Sequence, residues 1–468
     1  MTASVPRLRS RGILTWSAAA LLSSLLAVTG LVLQSWLVVL PIGAVMLVLL
    51  FGYTLANPPR ALGLVLIVAG AAGLPLGARG IELGVRIYPL DFVVAVLLAA
   101  MVVGIWLDPN RWTSRWPLQL PFLLLLVYFT ASLILGLLVG NDPRTAFGDY
   151  RRLAAYPLML LVFAAAIQTP RDSRTLLYAL VIAGYATFLI GVVRIVSGTG
   201  FAEELLAGTT IRYLSYVEAA TAGLGVLAAA GFARSTHGRA RIVWYALAVP
   251  PFLAVLVSNY RTAWAALALG LIIQSLSLGW KRGMRLLGLA FVIMVPVTVL
   301  MVTQTGFGGY ILDRFDLSNL SSSGLWRYFS WATAFDAFAA SPAWGTGMGY
   351  AHQFESFNIG AGVYSQFLTS SIHNDPLAFL VNTGLVGLTL AITFVVPWTS
   401  RAIFLAQSPE PDASLIGSTA LGGLALMTAV SCLQPFFSTA ATISIAMALL
   451  AIVIRTPVPP PEVPAGPA

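Results

Sequence analysis

Ser371-Ile372-His373-Asn374-Asp375-Pro376 closes the one long polar interruption of the chain, a stretch from Thr305 to Asn382 with apolar sequence on either side. Asn374 or Asp375 suits an N-cap and Pro376 suits the first position of a helix, so a helix begins here and enters the apolar run through Gly384-Leu385-Val386-Gly387. Working backwards, Gly324-Leu325-Trp326-Arg327 opens a helical pattern that stops at Ser341-Pro342-Ala343-Trp344-Gly345-Thr346-Gly347-Met348-Gly349. The interruption therefore reads as a polar excursion between membrane helices, and the rest of the chain must supply those helices.

Composition agrees. Of 468 residues, 58% are hydrophobic and only 9% charged, against roughly 25% charged in a soluble domain. Apolar spans long enough to cross a bilayer as helices fall at 12–30, 35–54, 61–77, 89–107, 118–139, 153–168, 175–196, 213–233, 242–258, 262–279, 284–303, 375–398, 414–432 and 436–454. The 153–168 span is short, and 242–279 reads either as two spans or as one broken pair. The expectation is an all-α polytopic membrane protein of about 12–14 transmembrane helices. Its organisation is helices over 1–303, one large extracytoplasmic loop with short helices over 304–374, C-terminal helices over 375–455, and a Pro-rich, disordered cytoplasmic tail over 456–468.

Arginine placement orients this bundle. Arg7, Arg9 and Arg11 precede an apolar stretch too long for a signal h-region, which reads as an uncleaved first helix with a cytoplasmic N-terminus. The loops carrying Arg60, Arg111 with Arg115, Arg171 with Arg174, Arg234 with Arg239 and Arg241, Lys281 with Arg282 and Arg285, Arg401, and Arg455 then all face the cytoplasm. The net charge of +9 is thus spread singly or in small groups between apolar runs, which points to membrane topology and anionic lipid substrates rather than to nucleic acid. Cys432 is alone, so no intramolecular disulfide forms.

Other arginines oppose that bias. Arg79, Arg86, Arg144, Arg151, Arg152, Arg194, Arg212, Arg261, Arg314 and Arg327 fall at or near the outer ends of spans. Guanidinium forks there suit a pyrophosphate, whose oxygens they bind in pairs; solvated or snorkelling arginines are the plain alternative. Arg261, in Ser258-Asn259-Tyr260-Arg261-Thr262-Ala263-Trp264, has apolar helix on both sides and so must pair or line a cavity. Glu218, two turns into an apolar segment after Arg212, reads as the ion-pair partner of one of these arginines or as a contributor to catalysis. Among three histidines, His237 lies in a cytoplasmic loop and His352 and His373 in the outer one. Capping explains Asn374 and Pro376 but not His373, whose imidazole can take a proton from a sugar hydroxyl or donate to a phosphate.

Metal and nucleotide chemistry find little support. No H-E-x-x-H or cysteine pair occurs, so no metal site is expected, and Gly345-Thr346-Gly347-Met348-Gly349 lacks the lysine of a P-loop. That glycine run reads either as backbone lining a substrate cavity or as a flexible corner. Asp313, Asp316 and Asp336 are the carboxylates that would coordinate a divalent cation beside a pyrophosphate, Asp336 reading as solvated or salt-bridged. Trp326, Tyr328, Phe329, Trp331, Phe335 and Phe338 read as interfacial anchors, with stacking on sugar faces as the functional alternative, and the two can coexist.

Taken together, the arginine, the P-x-x-G-x-G turn, the His-Asn pair and the G-L-x-G that follows resemble the O-antigen ligase and O-antigen polymerase superfamily. Ser258-Asn259-Tyr260-Arg261-Thr262-Ala263 is similar to its S-x-S-R-[TG]-A segment, with Tyr260 in place of the usual serine. Arg212 stands before a helix as an arginine commonly does in that family, with Glu218 where an Asn is frequent.

The resemblance implies a GT-C-like membrane glycosyltransferase using an undecaprenyl-pyrophosphate-linked glycan at the outer face of the cytoplasmic membrane. It would act by inversion, without metal or cofactor, on a glycan, lipid or protein acceptor. His373, Arg261 and Arg327 would be catalytic, with Arg212, Ser258, Asn374 and Glu218 binding substrate. A multi-helix transporter or lipid flippase is the competing reading, and it would place its polar residues near the midplane in two related halves.

Overall fold

The computed structural model describes residues 36–71, 81–83, 85–112, 117–199, 201–205, 208–279, 317–358, 363–369 and 372–457. The expected spans at 12–30 and 284–303, the loop with Lys281, Arg282 and Arg285, the tail beyond 457, and Arg79, Arg314, Asp313 and Asp316 lie outside the described residues.

The chain is an all-α, multi-pass membrane protein. Among the described residues its longer helices are α1 (Trp36–Ala56), α2 (Pro58–Ala71), α3 (Pro89–Leu107), α4 (Gln119–Leu138), α5 (Pro143–Tyr150), α6 (Met159–Ala166), α7 (Pro170–Ser197), α8 (Tyr216–Ser235), α9 (Arg239–Val257), α10 (Arg261–Leu276), α11 (Leu317–Ala340), α12 (Asp375–Ala406), α13 (Pro411–Ser431) and α14 (Ala440–Arg455). Seven of them (α3, α4, α7, α8, α9, α12 and α13) are long and apolar enough to cross a membrane among the described residues. Among the described residues, three two-stranded antiparallel hairpins decorate the connections: β1 (Ile81–Leu83) with β2 (Val85–Ile87), β3 (Phe201–Leu205) with β4 (Gly208–Arg212), and β5 (His352–Asn358) with β6 (Val363–Thr369).

α8 is the central helix. Nearly all of it is buried, and its run of alanines and glycines lets α7, α9, α10 and α13 approach closely, as small residues do where apolar helices pack without a hydrophobic driving force. Leu120, Leu124, Val127, Ile134 and Leu138 on α4 are by contrast exposed, the surface expected to meet lipid.

Connections alternate between the two ends of the bundle. At one end Arg174 pairs with Asp412 at 3.3 Å, Arg455 Nε donates to Ile167 O at 3.0 Å, and Arg401 Nε donates to Val453 O at 2.9 Å. This is the end that carries the topology-setting arginines. Everything else of interest gathers at the other end.

Two expectations need refinement. The 153–168 span is not one helix: a π-helical turn over Arg151–Ala155 and a 3-10 turn over Tyr156–Leu158 precede α6. Among the described residues, the excursion holds the 24-residue helix α11 and adds the β5–β6 hairpin to the helical structure expected there.

The G-L-x-G motif explains the glycine run. α12 breaks at Gly384 (φ 62°, ψ −166°), which strips helical partners from backbone groups on both sides, and each is satisfied from elsewhere. Leu385 and Val386 N–H donate to Pro342 O and Ala343 O at 2.8 and 3.1 Å. Val381 O accepts from Thr346 N at 2.8 Å, Asn382 O from Ser132 Oγ at 2.8 Å, and Thr383 O from Tyr128 Oη at 2.6 Å. The P-x-x-G-x-G turn is thus not a flexible corner but a clasp that locks α12 onto α4.

Gly347 (φ +75°) sits so close to α4 that an added Cβ would meet Gly136 N at 2.3 Å. Gly347→Ala combines overpacking with left-handed strain and is expected to cost about 3 kcal/mol, read as a lowered unfolding midpoint in detergent with no change in secondary-structure content.

Candidate active site

At the end of the bundle opposite the topology arginines, four segments converge: the end of β4, the α9–α10 turn, α11, and the loop before α12. Arg212, the last residue of β4, lays its guanidinium over the Tyr260 ring, 3.8 Å from the centroid. Tyr260 packs edge-to-face on Tyr216, with centroids 6.0 Å apart, and Tyr216 Oη donates to Pro435 O at 3.4 Å. Tyr260, a departure from the motif in the sequence, is therefore the platform on which Arg212 rests.

Arg327 stands on α11. Burial lowers its affinity for a proton, and the nearby charge of Arg212 lowers it further. One turn on, Trp331 Nε1 donates to Ile372 O at 3.0 Å, so the helix that carries Arg327 also holds the backbone next to His373. His373 itself has φ 53°, one of two non-glycine residues with positive φ among the described residues. Burial, and then the charge of Arg327, bring its imidazole down to about 4; it is neutral at physiological pH and able to accept a proton. Two guanidinium groups and a neutral imidazole thus lie within electrostatic reach of one another, an arrangement suited to a multivalent anion and a proton transfer beside it.

Arg261 begins α10 immediately after Tyr260, half-buried, one residue from the ring that carries Arg212. Ser258, Glu218 and Asn374 take structural roles. Ser258 is fully buried; its Oγ donates to Val255 O at 2.6 Å and accepts from Tyr260 N at 3.3 Å, shaping the turn. Asn374 caps α12, accepting from Leu377 N at 2.9 Å. Glu218 is fully buried, accepts Arg194 Nη1 and Nη2 at 2.9 and 3.1 Å, and accepts Ser215 N at 2.7 Å in a capping box. Its oxygens are engaged by protein, and the ion-pair reading of Glu218 holds with Arg194 as partner. Glu218→Gln leaves the Arg194 charge without its counter-ion and is expected to destabilise the protein by about 3 kcal/mol, measured by thermal unfolding, with Arg194→Ala similar in direction.

Sequence reasoning missed a network behind His373. Asp149, 3% exposed, pairs with Arg152 and accepts Gly349 N at 3.0 Å and Asn382 Nδ2 at 3.3 Å. It joins the π-helical turn to the clasp and to α12. Arg152 in turn acts electrostatically on Asp375 and Tyr216, and Asp375 Oδ2 accepts Phe437 N at 2.6 Å. Arg151 pairs with Asp91 at 2.8 Å and lies over the Tyr88 ring. The adjacent arginines at a span end were the only signal; Arg152 pairs locally with Asp149, whereas Asp91, the partner of Arg151, lies far away in sequence. His352 is buried in the excursion, its Nε2 3.0 Å from Ser330 Oγ and its ring stacked on Phe354, and Asp336 is exposed.

Fold and site together define a multi-pass membrane protein with a cationic, histidine-bearing site at one end of its helix bundle. Residues 246–392 match the family described as O-antigen ligase. This stretch, about a third of the chain, runs from within α9 into α12; it contains Arg261, Arg327 and His373 and stops short of Arg212. The match supports the O-antigen ligase and polymerase superfamily, and with it a membrane enzyme that transfers glycans. No curated protein matches the chain.

Proposed function

We propose that the protein transfers or polymerises a glycan from an undecaprenyl-pyrophosphate donor to an acceptor hydroxyl, at the outer face of the cytoplasmic membrane. The observation that carries this reading is the convergence of Arg212, Arg327 and His373. Like charges brought together in a partly buried setting repel, and a pyrophosphate relieves that repulsion while Arg261 adds a further fork at its edge.

In the transfer, the acceptor oxygen attacks the anomeric carbon of the donor sugar from the side opposite the pyrophosphate. The new C–O bond forms as the C1–O bond to phosphorus breaks, and undecaprenyl pyrophosphate leaves. Fixed guanidinium groups stabilise the negative charge that grows on the leaving oxygen. His373 accepts the proton of the attacking hydroxyl. A single displacement inverts the anomeric centre and needs no protein nucleophile.

The outward orientation follows from charge. The end opposite the site carries Arg171, Arg174, Arg234, Arg401 and Arg455 in the terminal turns of its helices, the bias that marks the cytoplasmic side. The test is transfer by purified protein in liposomes from an undecaprenyl-pyrophosphate oligosaccharide, with products read by mass. Ladders growing by whole repeats identify a polymerase, and one-step addition to a supplied lipid or protein acceptor identifies a ligase. Passage of labelled lipid across the bilayer with no glycan product would replace this reading with a carrier.

A further inference from the structure

Asn259 stands out among the polar side chains at this end of the bundle. It is 3% exposed, and neither its Oδ1 nor its Nδ2 has a hydrogen-bond partner. Its backbone shares with His373 the distinction of a positive φ (57°) among the described non-glycine residues. It lies between Ser258, which shapes the turn, and Tyr260, which carries Arg212. A buried amide with both ends unsatisfied is costly to a fold, and glycine would suit the same backbone better than asparagine does. The turn would be more stable without this side chain, so stability of the fold does not account for it.

We infer that Asn259 reads the sugar joined directly to the donor pyrophosphate, an inference that rests on the function proposed above. The chemistry of the amide selects the ligand group. A pyrophosphate at neutral pH presents acceptors only, and would answer the Nδ2 donors while leaving Oδ1 bare. A sugar hydroxyl or an acetamido group presents a donor and an acceptor together and satisfies both ends. Position agrees, because the arginine that follows Tyr260 in sequence and the one resting on its ring would hold the phosphates, and the first sugar is the group bonded to them. Both amide atoms are closed to solvent, so the sugar reaches them by displacing their cover. A pyrophosphate that draws Arg212 off the Tyr260 ring loosens the residue next in the chain.

The test compares binding of three lipids in nanodiscs: bare undecaprenyl pyrophosphate, and the same lipid carrying one N-acetylglucosamine or one galactose. Wild type is expected to bind at least one sugar-bearing lipid more tightly than the bare one. Asn259→Gly should erase that increment, about tenfold for a lost pair of hydrogen bonds, leave the bare lipid within about twofold, and keep or raise the unfolding midpoint because the amide and its backbone conformation are relieved. Asn259→Asp, which keeps the shape and loses the donors, should lose most of the same increment.

Equal weakening of bare and sugar-bearing lipids, a falling midpoint, or no preference for sugar in the wild type would each overturn the inference. Failure of the wild type to bind any of the three would instead remove the functional reading on which it rests.

Discussion

His373→Ala lowers the rate of glycan transfer by about 10²- to 10⁴-fold, the range for loss of a positioned general base, while donor binding stays within about threefold. The imidazole is held by its loop, in which Trp331 Nε1 fixes Ile372 O and Asn374 caps α12. Alanine tolerates the local φ of 53° poorly, so His373→Asn, which accepts that backbone, serves as the companion variant and should lose activity to a similar degree without unfolding.

The pH profile gives a second reading of the same group. Burial and Arg327 set the imidazole at about 4, so it is the neutral, proton-accepting form that prevails above that value. The profile of kcat/KM, which reports the free enzyme, should be flat on its acid side down to about pH 5 and fall only as pH drops through about 4. An unperturbed histidine would bend it near 6.5. Bound pyrophosphate adds negative charge beside the ring and raises its affinity for a proton, so kcat should bend at higher pH than kcat/KM. Stability follows with the sign of a depressed histidine. The unfolded imidazole takes its proton near 6.5 and the folded one only near 4, so acidification through that window favours unfolding.

Arg327→Gln is expected to reduce transfer by about 10²- to 10³-fold, as removal of a fixed donor to a developing anion does. Its place between Arg212 and His373 adds a signature that simple loss of binding lacks. The Arg327 charge is the second cause of the depressed His373 value, after burial; removing it lets the imidazole hold its proton more tightly, and the acid limb of kcat/KM should move to higher pH. Arg327→Lys keeps the charge but not the planar fork, so it should leave the limb in place while still losing much of the rate. An Arg327→Gln variant whose rate fell with no movement of the limb would place Arg327 away from His373.

The spans were legible because a bilayer demands about 20 apolar residues per helix, and little else in a sequence looks like that. Arg212, Arg261, Arg327 and His373, on which the proposed function rests, stand out in the sequence because each is an anomaly, a charge or an imidazole set against an apolar or outward context. Ser258, Asn374 and Glu218 share that neighbourhood and have protein partners there, since a hydroxyl, an amide and a carboxylate beside a helix start are easily used for turns, caps and pairs.

The clasp was hidden for another reason. That Gly384 breaks α12 so that residues 342–346 can supply and accept its backbone hydrogen bonds depends on α4 lying behind it, a contact more than 200 residues away in sequence. Asp149 was invisible on the same ground, its partners Gly349 and Asn382 being equally remote. The aromatic pattern of α11 divides in the fold: Tyr328 and Phe335 are exposed, whereas Trp331 turns inward to hold the histidine loop.

The most direct measurement of the central claim is the affinity of the purified protein for undecaprenyl pyrophosphate against undecaprenyl monophosphate, in wild type, Arg212→Gln and Arg327→Gln. Two guanidinium groups that converge on one pyrophosphate should favour the diphosphate by about tenfold or more, and each substitution should remove most of that preference while leaving the monophosphate little affected. Equal affinity for the two lipids in the wild type, or a preference that survives both substitutions, would contradict a pyrophosphate site built from Arg212 and Arg327.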